Sequence, residues 1–162
     1  MVILTELNFI TFTNKGYVDY TKNLLISNKV NNANTNIKVY TLDDYSFNFF
    51  SDVHNNVELF KKEDFADNYY SQADENFGNL MLVKFELIYR ELLKNENVIY
   101  VDGDIVFKKD FRDYLVNYST QSDIVFQNDL RPSKPNREWV CAGFMYIKSN
   151  ETTKEFFKPT KK

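Results

Sequence analysis

Hydrophobic and polar positions along this chain follow two alternating patterns, one typical of β-strands and one typical of α-helices. Short apolar or alternating runs predict strands at residues 7–13, 36–42, 56–60, 98–101, 105–107, 123–127 and 140–148. Apolar residues at helical spacing predict helices at residues 17–29, 74–94 and 110–118. A further helix start is predicted at Asp43-Asp44-Tyr45. The alternation predicts an α/β fold in which helices flank a mostly parallel central sheet.

The helix predicted at residues 74–94 has the clearest apolar stripe, and a lysine lies on or near it. Lys84 stands between Val83 and Phe85. A buried ammonium is costly unless it reaches water or an anion. Lys84 therefore either extends to solvent or lies near a phosphate or near the acidic residues of the next strand.

The most informative segment is Val98–Phe107, where two carboxylates flank a glycine between apolar, β-branched runs. Such runs are typical of buried strands, and ligands of parallel sheets bind beyond the carboxyl ends of strands. In extended backbone Asp102 and Asp104 point to the same side, and Gly103 lets another group approach the backbone. Because two such charges repel, a divalent cation that also binds water and phosphates fits them. The segment predicts a metal–diphosphate site, although Asp-Gly is also typical of an ordinary turn.

Two further segments combine small and polar residues near predicted strands. Thr13, Asn14 and Tyr17 lie where the first strand leads into a helix. Backbone N–H groups at such a place suit an anion, or the residues simply form a turn while Tyr17 packs. Ala142 and Gly143, in the last predicted strand, either let a ligand approach the backbone or only permit tight packing.

Composition places the chain among folded globular proteins. It has 162 residues, 43% hydrophobic and 17% aromatic, which suits one domain with a substantial core. The net charge of −3 is spread along the chain without a basic stripe, which argues against nucleic acid as a partner. The single Cys141 is interpreted as a small buried residue. No apolar run suits a membrane span and the first residues lack a basic signal-peptide start, so we expect a cytoplasmic protein.

Together these segments resemble the nucleotide-diphospho-sugar transferase family, glycosyltransferases of the GT-A fold. The resemblance takes in residues 13–24, residues 84–107 with the helix lysine and the Asp-x-Asp motif, and residues 122–127 and 142–150. It implies a GT-A, Rossmann-like fold with a mostly parallel sheet.

The resemblance implies one domain at residues 1–162, with a donor-binding part at residues 1–107 and an acceptor-side part at residues 108–162. Family members usually continue further, with a metal-binding histidine and acceptor-side acids. We therefore expect this chain to be truncated at its C-terminus.

Individual residues take roles from the same resemblance. Thr13, Asn14 and Tyr17 match the loop that holds the nucleotide base and ribose. Lys84 matches a helix lysine that sits toward the donor pocket.

The catalytic pair would be Asp102 and Asp104, which are also the implied metal ligands. Asp102 would contact the ribose or sugar of the donor, and Asp104 would bind the metal on the diphosphate. Ala142 and Gly143 match the segment that faces the donor sugar and the acceptor.

The function implied by the resemblance is transfer of a sugar from a nucleotide-diphosphate donor, expected to be a UDP-sugar. The acceptor would be a hydroxyl of an unknown glycan, protein or small molecule, and Mn²⁺ or Mg²⁺ would be the cofactor because oxygen ligands suit these ions. One alternative is a nucleotide-sugar-binding module with impaired catalysis. A second is an α/β phosphatase with the same Asp-x-Asp pattern, which the lack of a later pair of acids disfavours.

Overall fold

The computed structural model describes residues 8–31, 35–62, 77–119, 121–129 and 139–159. Within these ranges, strands and helices alternate along most of the chain. In order they are β1 (Asn8–Thr13), α1 (Val18–Asn31), β2 (Ile37–Thr41), α2 (Asp44–Ser51), β3 (Val57–Leu59), α3 (Phe77–Leu92), β4 (Val98–Val101), α4 (Arg112–Ser119), β5 (Ile124–Asn128), β6 (Val140–Ile147) and α5 (Glu151–Phe157). A short 3₁₀ turn at Lys15–Tyr17 joins β1 to α1.

The six described strands form one sheet in the order β3-β2-β1-β4-β6-β5. The neighbours from β3 to β4 are parallel, whereas β6 pairs antiparallel with both β4 and β5. The predicted mostly parallel α/β sheet is therefore confirmed. Because β6 runs against its neighbours, its first residues lie at the same edge of the sheet as the last residues of β1, β2 and β4.

Side chains of the central strands alternate between two helical layers. Ile10, Tyr100 and Ile147 pack in the layer of α3 and α5. Their sequence neighbours, such as Ile99 and Tyr146, pack in the layer of α1 and α4. This two-residue period follows from the pleat of a strand. It directs the side chain of Tyr100 toward α3, the helix that carries the predicted lysine.

Two features differ from the sequence-based expectations. The backbone turns after β4, where the Ile105 N–H donates to the Asp102 carbonyl over 3.2 Å. Residues 105–107, all of which the structure describes, lie outside any strand. Helix α5 has no predicted counterpart because its two phenylalanines come only at its end. Its start is marked instead by a capping box between Asn150 and Thr153.

The other predicted elements are confirmed with ends shifted by a few residues. Residue 7 of the first predicted strand and residues 74–76 of the longest predicted helix lie outside the described residues. Within the described ranges, every helix falls short of the length and apolar content that crossing a bilayer requires.

Candidate functional site

The candidate site lies at the edge of the sheet where β1, β2 and β4 end and β6 begins. The Asp102 N–H, just after β4, donates to the Gly143 carbonyl of β6 over 2.7 Å. At the same edge, the Leu42 N–H donates to the Thr13 carbonyl over 2.9 Å. The carboxyl ends of parallel strands are where α/β sheets bind ligands.

Asp102 is held by two donors that both reach the same carboxylate oxygen. Lys84 Nζ lies 2.8 Å from Asp102 Oδ1, and the Tyr100 hydroxyl donates to Oδ1 over 2.7 Å. The side chain of Asp102 keeps 34% of its surface exposed. The carboxylate is therefore fixed on one side and open on the other.

The environment of Lys84 decides between the two sequence-based interpretations of this residue. Lys84 is only 4% exposed, so its ammonium is paired inside the protein instead of extending to solvent. Besides Asp102, it donates to the Ala142 carbonyl over 3.2 Å, and it lies 4.6 Å from the centre of the Tyr100 ring. These partners offset the cost of burying the charge.

Tyr100, to which sequence reasoning assigned no role, completes the cluster. Burial raises the pKa of its hydroxyl, and the charge of Asp102, the hydrogen bond to Asp102 and the charge of Asp104 raise it further. The hydroxyl therefore stays protonated at neutral pH and donates to Asp102. The signal available in the sequence was the spacing, since residues two apart on a strand share a side.

Gly143 leaves room for the Asp102 carboxylate. A Cβ built at Gly143 would lie 2.9 Å from Asp102 Oδ2 and 3.4 Å from the Cys141 sulfur. From the sequence, we expected the small side chains here to make room for a ligand or for tight packing. In the structure, the Asp102 carboxylate borders the space beside Gly143. Cys141 is half-buried instead of fully buried, because it lies near the open end of β6.

Asp104 lies in the turn that follows β4, and this corrects the extended geometry expected from sequence. It is exposed and forms no hydrogen bond or ion pair with any residue that the structure describes. The close approach predicted at Gly103 is real, but the approaching group is Thr21 of α1. A Cβ at Gly103 would lie 2.6 Å from Thr21 Oγ1.

The loop after β1 occupies the neighbouring position at the same edge. Thr13 and Asn14 are each 1% exposed, and Tyr17 is half-buried against the main core. The Lys15 N–H donates to Asp43 Oδ2 over 2.8 Å, and Asp43 also caps α2. These bonds hold the loop in one shape. The sequence predicted a helix start at Asp43 but not its role in holding this loop.

The predicted site residues therefore fall into two groups. Lys84, Asp102, Ala142 and Gly143 contact one another directly, whereas Thr13, Asn14 and Tyr17 belong to the adjacent loop. The exposed Asp104 stands in the turn at the end of the first group.

The carboxylates fit one particular mode of binding a metal. Within the described ranges, no group of three or more histidine, cysteine, aspartate or glutamate side chains comes together. Mg²⁺ and Mn²⁺ accept one or two carboxylates and take their other ligands from water and phosphate oxygens. Asp104, exposed and without a described partner, suits this mode, whereas Oδ1 of Asp102 already accepts from Lys84 and Tyr100.

Solved structures with similar folds include two glycosyltransferases. Galactosyltransferase LgtC, in complex with donor and acceptor sugar analogues, aligns with a TM-score of 0.60 and 14% identity over 94% of this chain. Glycosyltransferase GlyE from Streptococcus pneumoniae TIGR4 aligns with a TM-score of 0.56 and 14% identity, also over 94% of this chain. The chain spans 60% of the LgtC chain and 36% of the GlyE chain. These similarities establish a GT-A fold.

No curated protein sequence matches this chain. A family profile described as nucleotide-diphospho-sugar transferase matches residues 32–162, which include α3, the Asp-x-Asp turn and β6. Because this match covers most of the sequence and the fold agrees with it, the chain belongs to the nucleotide-diphospho-sugar transferase family.

Proposed function

We propose that this protein is a metal-dependent glycosyltransferase that moves a sugar from a UDP-sugar to a hydroxyl of an acceptor. The observation that carries the proposal is the pairing of Asp102 with buried Lys84 beside the exposed Asp104, at the carboxyl edge of the sheet. The chain spans 60% of LgtC, so the activity of the whole protein is part of the proposal.

The charges of this cluster favour a divalent cation together with a diphosphate. Two aspartates and one lysine leave one net negative charge, which a divalent ion would convert to one net positive charge. Asp104, assisted by Asp102, would hold Mn²⁺ or Mg²⁺. Such an ion stabilises negative charge on a departing diphosphate as a Lewis acid.

The protein's own residues would bind and orient the donor. Oδ2 of Asp102, on the open side of the carboxylate, would accept a hydrogen bond from a hydroxyl of the ribose or sugar. Ala142 and Gly143 would line the path of the sugar, and Lys84 would hold Asp102 while lowering the negative charge near the phosphates. Positioning of this kind supplies much of the rate in transfer reactions.

The nucleotide would lie along the loop after β1. Thr13, Asn14 and Tyr17 would contact the base and ribose, since this loop adjoins the Asp102 turn at the same edge. The hydrogen bonds of Asp43 hold the loop in place before binding, which lowers the entropy cost of ordering it.

Titration with UDP, with and without Mn²⁺, tests the proposal by calorimetry. We expect Mn²⁺ to strengthen binding, Asp104→Asn to remove most of that enhancement, and Lys84→Ala to weaken binding by about tenfold or more. Asp52→Asn, an exposed aspartate at the end of α2, is the matched control and should bind like the wild type. Equal affinity with and without metal, or an unaffected Asp104→Asn, would refute the donor site.

Three outcomes separate the candidate functions once binding has been measured. Release of UDP from a UDP-sugar, by hydrolysis or transfer, identifies an enzyme. Metal-dependent binding without release indicates a binding module. Phosphate release from p-nitrophenyl phosphate, with no nucleotide binding, would identify a phosphatase.

A further inference from the structure

We propose that Tyr100 is a positioning residue for Asp102, whose carboxylate it orients so that Oδ2 faces the donor. This inference rests on the proposed function and goes beyond it by adding a residue that does not itself touch the donor.

The geometry of Tyr100 suits a fixed hydrogen-bond donor. Tyr100 and Asp102 are two residues apart, so their side chains leave β4 on the same side, and the hydroxyl meets Oδ1 at 2.7 Å. The ring is 1% exposed, and its centre lies 4.6 Å from Lys84 Nζ and 6.3 Å from the centre of the Phe12 ring. A ring packed in this way cannot move its hydroxyl away from Asp102 without opening the core.

The two oxygens of Asp102 have different surroundings. Oδ1 accepts from both Lys84 and Tyr100, while no residue that the structure describes donates to Oδ2. Oδ2 lies against Gly143, where a Cβ would come within 2.9 Å of it. Rotation of the carboxylate would break both bonds at Oδ1, so the pair of donors fixes the orientation of the group and leaves its other oxygen facing Gly143.

Lys84 alone would orient the Asp102 carboxylate less strictly than Lys84 and Tyr100 do together. An ammonium is a point charge on a flexible stem, with donors that rotate, and Lys84 divides them between Asp102 and the Ala142 carbonyl. A phenol hydroxyl on a packed ring approaches from one direction only. Tyr100 therefore fixes the orientation of the Asp102 carboxylate, while Lys84 balances its negative charge.

The test compares Tyr100→Phe with Tyr40→Phe. Both variants lose only a hydroxyl, and Tyr40 is a matched control because it is 0% exposed and its hydroxyl donates to a buried carboxylate, Glu91. Binding of UDP-galactose with Mn²⁺ is measured by calorimetry, and stability by urea unfolding. We expect Tyr100→Phe to raise the Kd about tenfold, the effect of losing one hydrogen bond to a charged group. Tyr40→Phe should leave the Kd unchanged.

A double-mutant cycle with Asp102→Asn separates positioning from general stability. If Tyr100 acts through Asp102, Tyr100→Phe should cause no further loss of affinity in the Asp102→Asn background. A merely structural role would lower the free energy of unfolding and leave the Kd unchanged. A wild-type Kd for Tyr100→Phe, or losses that add to those of Asp102→Asn, would overturn the inference.

The same measurements distinguish failure of the inference about Tyr100 from failure of the proposed function. If the wild type binds neither UDP-galactose nor UDP with Mn²⁺, the proposed function fails and the inference with it. If the wild type binds and Asp102→Asn weakens binding while Tyr100→Phe does not, only the inference fails. If Asp102→Asn binds normally, Asp102 does not serve the donor and Tyr100 cannot position it.

Gly143→Ala approaches the same carboxylate from the opposite side and tests, with Tyr100 intact, whether the orientation of Asp102 controls donor binding. The added methyl would push against Oδ2 and rotate Asp102, so we expect a weaker Kd for UDP as well as for UDP-galactose, since UDP carries no sugar for the methyl to obstruct. Gly78→Ala, in α3 with nothing within 4 Å of the new Cβ, is the control. An unchanged Kd in a folded Gly143→Ala protein would contradict a strictly oriented Asp102.

Discussion

Gly103 separates the two aspartates, and its missing side chain makes room for α1. Thr21 Oγ1 would lie only 2.6 Å from a Cβ at this position, and Thr21 is 0% exposed. Described glycines with positive φ are absent, so backbone conformation does not explain the residue. Its role is steric, because the turn after β4 packs directly against a helix.

Replacing Gly103 by alanine should therefore destabilise the protein through contact with Thr21. We expect Gly103→Ala to lower the free energy of unfolding by about 1–3 kcal/mol, the usual cost of overpacking. Thr21→Ala in the same chain removes the opposing oxygen and should recover most of this loss. Urea unfolding of both single variants and the double variant measures the coupling. Additive losses would show that the two residues do not compete for space.

Helix α3 connects the candidate site to a second buried charge at the other end of the sheet. Lys84 lies in the site, whereas Glu91, two turns further along, is 1% exposed and accepts from Asn8 Nδ2 and Lys94 Nζ, each at 2.6 Å. The Tyr40 hydroxyl also donates to Glu91. Burial by itself raises the pKa of Glu91, but the hydrogen bonds from these three residues lower it overall.

Replacing Glu91 by glutamine should destabilise the protein in a pH-dependent way. We expect a loss of about 2 kcal/mol at neutral pH, because the hydrogen bonds from Asn8, Tyr40 and Lys94 lose their charged acceptor. The folded-state pKa of Glu91 is below its ordinary value of 4.5, so its stabilisation is complete above that value and is lost as the pH falls through the folded-state pKa. Urea unfolding should show the difference from wild type shrinking on acidification.

Glu86→Gln, on the same helix, is the matched control for Glu91. The Glu86 side chain is 40% exposed and pairs with Lys62 at 2.9 Å, so we expect a loss below about 1 kcal/mol. Equal losses for the two variants, or a Glu91→Gln deficit that grows in acid, would contradict a buried, anchored carboxylate.

At the scale of the whole molecule, the last third of the chain is built into the sheet. β6 lies between β4 and β5, and its Met145 and Ile147 join the main core together with Phe157 of α5. Without β6, the proposed donor-binding part at residues 1–107 would have β4 as an unpaired edge strand. We therefore predict that the proposed donor-binding and acceptor-side parts are not separate folding units.

Equilibrium unfolding of the full chain tests this prediction. The single tryptophan, Trp139, precedes β6 and reports on the acceptor-side part, while far-UV circular dichroism reports on all helices and strands. We expect the two signals to change at the same urea concentration, as in two-state unfolding, and a fragment of residues 1–107 to remain unfolded. A tryptophan transition well before the dichroism transition would indicate two independent units.

Much of the fold and part of the candidate site could be predicted from local sequence patterns. Hydrophobic periodicity located most strands and helices because it reflects burial on one face of each element. The acidic residues after β4 and the lysine on α3 were evident because charges stand out within apolar runs, whereas the turn that carries Asp104 was not. Helix α5 was not predicted because its apolar residues are few and lie at its C-terminal end. Packing against α3 and the N-terminal capping box stabilise this helix instead.

Local patterns along the chain were enough to predict the order of elements, the α/β class and the residue types available at the edge of the sheet, since these depend on neighbouring residues. The folded structure was needed to show that Lys84 and Tyr100 share one oxygen of Asp102, that Thr21 fills the space at Gly103, and that Asp104 stays exposed. These contacts join or separate side chains from different helices and strands. Their distances follow from how the layers pack and not from any local pattern.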